Sequence, residues 1–163
     1  MATSIISLGK ITKDEAPIVW KFLQEYLVEL LRTIGNPEGL NLEEEIPYPY
    51  FESYWEEENR FPFWAVDETG EKIGFVFLRD TGSVFSIAEF YIFPDQRDKG
   101  YGRALLDILV VYCRKKKRYK VLFANCFDKN ATGYKFWTEN GFYPVALEES
   151  PEGAFHILQF DLR

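Results

Sequence analysis

Chemistry is most legible between Phe90 and Ala104, where the chain reads Phe90-Tyr91-Ile92-Phe93-Pro94-Asp95-Gln96-Arg97-Asp98-Lys99-Gly100-Tyr101-Gly102-Arg103-Ala104. An apolar run stops at a proline, a polar loop follows, and two glycines open a stretch of helical periodicity. The N–H groups at a helix start have no acceptor within the helix, and the dipole stands behind them, so that end favours an anion. Glycine at positions 100 and 102 lets a phosphate approach the backbone. Arg97, Lys99 and Arg103 add positive charge at the same place. These features alone describe a generic anion cradle, and a surface loop with two turn glycines would look the same. The nucleotide P-loop pattern is absent. The dinucleotide fingerprint lacks its third glycine, because the segment continues Gly102-Arg103-Ala104-Leu105-Leu106.

Just upstream, Glu89 is the only acidic residue between Val84 and Phe93. Alternation along a strand puts Glu89, Tyr91 and Phe93 on one face, opposite Phe90 and Ile92. A carboxylate between Ser86-Ile87-Ala88 and Phe90-Tyr91 is expected to lose water and titrate above a free one, which suits a general base. An outward-facing or ion-paired strand glutamate is the plain alternative. Cys126 and His156 invite a nucleophile and base reading. No third orienting group is evident for that pair, however, and a cysteine ending an apolar strand is commonly a packing residue.

The elements that must position these groups follow from periodicity. Ile5 to Leu8 reads as an edge strand. Thr12 and Glu15 have capping-box spacing, and Ile18, Val19, Phe22, Leu23, Tyr26, Leu27, Leu30 and Leu31 recur on one helical face up to Gly35-Asn36-Pro37. A second helix is expected over 51–58. Phe61 to Val66, Lys72 to Arg79 and Val84 to Phe93 read as antiparallel strands joined by Gly-containing turns. A helix from Gly102 to Arg118 and a strand from Tyr119 to Cys126 then imply a parallel pair with a right-handed crossover. A helix over 130–140, stopped by Gly141, and a hairpin of Tyr143 to Leu147 with Phe155 to Leu162 complete the chain. The expected fold is therefore mixed α/β, a single domain over 1–163. Its central, mostly antiparallel sheet has about seven strands, flanked by about four helices.

Composition bounds the function. The 163 residues are 47% apolar and 18% aromatic, enough for one sizeable core, and the net charge of −7 argues against a nucleic-acid binder working through a basic field. Two cysteines and one histidine make neither a disulfide framework nor a zinc site. Neither a membrane span nor a basic, apolar leader is visible, Met1-Ala2-Thr3-Ser4 included, so a cytoplasmic protein is expected. Acidic residues gather before position 70, among them Glu43, Glu44, Glu45, Glu56, Glu57 and Glu58. Such a block is usually a solvated face, and it would also attract a cationic amine.

With Arg97, Gly100 and Gly102 on its fixed positions, the loop resembles the acetyl-CoA motif of the GNAT superfamily of N-acetyltransferases, Gln/Arg-x-x-Gly-x-Gly/Ala. Ile92 stands two residues before Pro94, where the family offers a backbone edge to the pantetheine arm. Asn130, Trp137 and Gly141-Phe142 match the family's spacing on the next helix. The resemblance implies acetyl-CoA bound in a gap between two splayed parallel strands, ending at Phe93 and Cys126. Its contacts would come from Ile92, Phe93, Arg97, Asp98, Lys99, Gly100, Tyr101, Gly102, Arg103, Asn130 and Trp137. It also implies Glu89 as base for direct attack by a primary amine of a small molecule or peptide. Many relatives place a tyrosine acid where this chain has Trp137, and Tyr134 is an alternative donor that reads more simply as packing. The expected partners are acetyl-CoA and an amine acceptor, cationic if the acidic segment faces it. A homodimer is compatible, and no metal, nucleic acid or membrane is expected. Trp137 motivates a second reading, a non-catalytic acyl-CoA sensor. The aromatic and acidic segment from Tyr48 to Trp55 motivates a third, a protein-interaction surface.

Overall fold

The computed structural model describes residues 5–163; Met1 to Ser4, read above for a leader, lie outside the described residues. Strand β1 (Ile6–Lys10) leads to Thr12, whose backbone N–H donates to Glu15 Oε1 at 3.0 Å. That capping contact closes a short 3-10 turn, and helix α1 begins one residue later (Ala16–Ile34) with Pro17 in its first turn, where a missing N–H costs nothing. Gly35 at φ 87 ends it, and the Asn36 N–H returns to the Leu31 carbonyl at 2.7 Å. The second expected helix is shorter than its pattern: α2 spans only Ser53–Glu56. Glu56, Glu57 and Glu58 would crowd the negative end of a longer helix, and the chain must already be extended for the strand that follows.

Strands β2 (Arg60–Asp67), β3 (Lys72–Asp80) and β4 (Phe85–Ile92) form an antiparallel meander. Helix α3 (Tyr101–Lys116) crosses to β5 (Val121–Phe127), helix α4 (Ala131–Glu139) follows, and β6 (Tyr143–Glu148) and β7 (Phe155–Asp161) close the chain. The seven strands lie in the order β1-β2-β3-β4-β5-β7-β6, and β4–β5 is the parallel pair. Its pairing is brief. Phe85, Ser86 and Ile87 lie beside Leu122, Phe123 and Ala124, and beyond them the strands part.

Two cores lie on the two faces of the sheet. Leu105, Leu106, Leu109 and Trp137 of α3 and α4 bury against Ile73, Val76, Phe85 and Ile87. Val19 and Leu23 of α1, with Tyr54 of α2, bury against Trp64, Phe75, Phe77, Tyr91 and Phe93. With a helical layer on each face, β3 is buried almost throughout and reads as a continuous apolar run, Ile73 to Leu78. Gly74 is required there, because a Cβ would stand 2.2 Å from the Tyr91 carbonyl oxygen of β4.

A β-bulge decides which way β4 faces. Phe77 pairs with Glu89 but Leu78 pairs with Ile87, leaving Ala88 as the extra residue. Phe85 and Ile87 therefore face the α3–α4 core, and after the bulge the odd positions turn over, so that Tyr91 and Phe93 face α1. Among the described residues no helix is long and apolar enough to cross a membrane.

Candidate active site

β4 ends at Ile92 because Pro94 can neither donate to a ladder nor continue the strand, and Pro94–Gln96 make one 3-10 turn. Asp98 (φ 62) and Gly100 (φ 82) are both left-handed, turning the chain so that α3 starts at Tyr101. Helical geometry leaves the N–H groups of Tyr101, Gly102 and Arg103 without intrahelical acceptors. The Phe136 ring of α4 would be 3.2 Å from a Cβ at Gly102, so this glycine admits the close approach of the two helices. The Lys99 ammonium lies 3.3 Å from Gln96 Oε1.

The loop and the parted strands open onto one cleft of about 900 Å³, lined by every expected site residue except Phe93 and Lys99. Phe93 is instead buried under α1, stacked on Phe22 at 4.1 Å. The Phe93 N–H donates to the Ile73 carbonyl of β3, so the neighbouring Ile92 backbone faces away from β3, into the gap. Arg97 occupies that edge. Its Nε donates to the Ile92 carbonyl at 3.0 Å, while its two terminal nitrogens grip Glu29 of α1 at 2.8 and 3.0 Å. The positive charge expected to meet a phosphate is thus engaged in a bidentate pair with α1.

Glu89 faces α1, and both its oxygens have donors. The Tyr26 hydroxyl donates to Oε1 at 2.9 Å and the Tyr48 hydroxyl to Oε2 at 2.5 Å. Loss of water pushes the carboxyl up to about 7, the two hydroxyls pull the other way, and the Glu152 charge adds to the rise. A side chain that changes protonation near neutrality therefore stands in the wall of the same cleft as the anion-ready helix start. Tyr48 is delivered by the segment between α1 and α2, which Gln24 clips at both the N–H and the carbonyl of Ile46, at 2.6 and 2.8 Å.

On α4, Asn130 caps the helix, its Oδ1 accepting from the Gly133 N–H at 3.1 Å. Trp137 is packed among Phe90, Phe136 and Phe142 and forms part of the cleft wall. Tyr134 is turned to His156, with ring centroids 4.7 Å apart, and His156 is bonded to Asp128 at 2.8 Å. Burial pushes the Cys126 thiol up to about 11, and its nearest acceptors are the Phe127 and Asn130 carbonyls. Cys126 and His156 are therefore not arranged as a nucleophile and its base. Among the described residues no group of three or more His, Cys, Asp or Glu side chains could hold a metal ion.

The acidic and aromatic segment is mostly spoken for by packing. Glu45 accepts from Trp20, Glu57 pairs with Arg60, and Trp55 donates to the Ile11 carbonyl. Tyr54 is buried against Phe77, while Tyr50 is exposed.

The model of the acetyltransferase (GNAT) family matches residues 22–142, more than half of the chain. The chain belongs to the GNAT acetyltransferase family. This acetyltransferase has no match among curated proteins, but its fold recurs in many solved structures. Spermidine N-acetyltransferase from Vibrio cholerae, in complex with CoA and spermine, is 14% identical, with a TM-score of 0.73 over 96% of this chain and 95% of that one. AAC(6')-Ib in complex with ribostamycin and coenzyme A is 17% identical, with a TM-score of 0.74 over 96% and 93%. The ribosomal-protein-S18-alanine N-acetyltransferase from Escherichia coli is 15% identical, with a TM-score of 0.69 over 97% and 94%.

Three pairings around the acetyltransferase's cleft escaped the sequence reading: Tyr26 and Tyr48 with Glu89, and Glu29 with Arg97. A signal did exist for Tyr26. A tyrosine on the buried stripe of an amphipathic helix must find a partner for its hydroxyl, where phenylalanine or leucine would not. Nothing in the sequence says that the partner is 63 positions away.

Proposed function

We propose that this acetyltransferase moves an acetyl group from acetyl-CoA to a primary amine by direct attack, with Glu89 as general base. The observation carrying this reading is Glu89 itself, a carboxyl titrating at about 7 in the wall of the cleft that the Gly100–Gly102 helix start opens onto. The N–H groups of Tyr101, Gly102 and Arg103 would hold the pyrophosphate, with Arg103 and Lys99 adding charge. The outward edge of Ile92 and the wall at Asn130 and Trp137 would hold the pantetheine, which pairs with the parted strands as an added strand does. Arg97 would serve this site by bracing the loop against α1. The acceptor enters from the α1 side, where Glu89 receives the proton that its nitrogen sheds.

A cationic acceptor is the reading we favour. The chain carries a net charge of −7, and the fold is shared with proteins crystallised with spermine and with ribostamycin. Acetyl-CoA titrated into the protein should raise its melting temperature, as a ligand of the folded state must. Thiol release should then appear with members of a panel of polyamines, aminoglycosides and lysine peptides. In Glu89→Gln the turnover should fall about 100-fold while the thermal shift is retained. No shift at saturating acetyl-CoA, or undiminished turnover in Glu89→Gln, would sink the donor or the base respectively.

A further inference from the structure

Breaking a thioester at its C–S bond leaves a sulfur that needs a proton, and the indole of Trp137 has none to give near neutrality. Cys126 and Tyr134 are turned to other partners, as described above. The hydroxyl that both lines the cleft and touches the base is Tyr26. Its ring stands edge-on to Tyr91 and Phe75, at 5.3 and 6.0 Å, which fixes the hydroxyl 2.9 Å from Glu89 Oε1. Tyr26 belongs to the α1 side of the sheet, and Cys126 and Trp137 to the α3–α4 side. Both Tyr26 and Cys126 nevertheless line the same cleft. Glu89 and Cys126 each stand two residues beyond the last paired positions, Ile87 and Ala124, so Tyr26, held on Glu89, stands at the mouth of the gap in which a thioester would lie. Tyr48, by contrast, holds Oε2 and does not line the cleft.

We propose that Tyr26 relays to the departing sulfur the proton that Glu89 takes from the acceptor amine. This inference rests on the acetyl-transfer reading above. As the nitrogen bonds to the acetyl carbon, one N–H proton passes to Glu89 Oε1. The contact between Glu89 and Tyr26 then reverses: the carboxyl donates to Tyr26 Oη, and the proton already on Oη goes to sulfur as the C–S bond breaks. Nitrogen loses one proton, sulfur gains one, and Glu89 and Tyr26 return to their starting forms with no further reactant. Tyr26 does not ionise in this scheme. Burial, with the Glu89 charge beside it, holds its pKa well above the usual range, so the two transfers run together. From end to end the proton moves from a carboxyl at about 7 to a thiolate whose acid is weaker, at about 8.5, which is downhill.

Tyr26→Phe keeps the ring and removes the relay. The test is single-turnover acetyl transfer from acetyl-CoA to the best amine of the panel, over a pH series and in mixtures of light and heavy water. In the variant the rate on the alkaline plateau should fall about 100-fold, with the thermal shift by acetyl-CoA retained. The dependence of rate on deuterium fraction should change from curved, with two protons in flight, to linear, with one. A plateau rate equal to wild type, or a loss that disappears at alkaline pH, would overturn the relay and leave Tyr26 as a holder of Glu89. Wild-type protein that releases no thiol with any amine removes the acetyl-transfer reading and the relay together. An active wild type with an unimpaired Tyr26→Phe removes the relay alone.

Discussion

At Glu89 two opposing effects set the protonation state: burial disfavours the anion, and the Tyr48 and Tyr26 hydroxyls favour it. A base must be deprotonated to work, so turnover should rise with pH through about 7. Tyr48→Phe removes one of the donors to the anion, and the rise should move to higher pH, as a kcat profile would register. A midpoint that stays put or moves to lower pH would contradict that balance. Stability responds with the opposite sign. The folded protein holds this proton more tightly than the unfolded chain, so stability should fall as pH rises from about 4.5 to about 7 and remain lower above. Glu89→Gln should therefore gain ~2 kcal/mol in urea unfolding above neutrality, discounted for partial exposure, and almost nothing near pH ~4.

At the scale of elements, the start of α3 and the start of α1 are each set by a few residues. Gly100 is left-handed at φ 82, and Gly100→Ala forces a side chain into that region at a cost of ~1 kcal/mol. The loop N–H groups would turn with it, so calorimetry should show acetyl-CoA bound about fivefold more weakly, the equivalent of that ~1 kcal/mol. Ahead of α1, Lys72 and then the Thr12 N–H hold the Glu15 carboxyl down to about 2 from its ordinary 4.5. This contribution is present above about pH 4.5 and is lost as pH falls toward 2. Glu15→Gln should cost ~1 kcal/mol at neutral pH and flatten the acid limb of the stability curve. Both helix starts were readable, since a glycine pair after a proline and a threonine three residues before a glutamate are local signals. The brevity of α2 was not, because the adjacent strand and the carboxylates at its end override an apolar spacing.

Across the whole molecule, the sheet supplies an opening by letting one parallel pair lapse. The three paired positions on β4 and β5 hold the strands together at one end, and the cleft occupies the other. Acetyl-CoA lying in that gap would cover backbone that is otherwise open to water. Amide hydrogen exchange should therefore slow at Phe90, Ile92 and Tyr101 to Arg103 on adding acetyl-CoA, and stay unchanged in the remote pair β1 and β2. Uniform slowing across the sheet, or none at the gap, would place the ligand elsewhere.

Sequence alone determined what depends on neighbours in the chain. Periodicity marked the strands and helices, the proline and glycines marked the anion-ready loop, and the isolation of Glu89 in an apolar strand marked it as a carboxyl that would titrate high. Alternation also placed Glu89 with Tyr91 and Phe93. It did not show that this face is reached only because Ala88 is bulged out, without which Glu89 would share the face of Phe85 and Ile87. Only the tertiary structure decided that Tyr26 and Tyr48 meet Glu89, that Glu29 engages Arg97, and that Tyr134 turns to His156. Each of those pairings joins residues far apart in the chain. Their geometry is set by how α1 and the segment after it pack on the sheet, and no spacing along the chain encodes that.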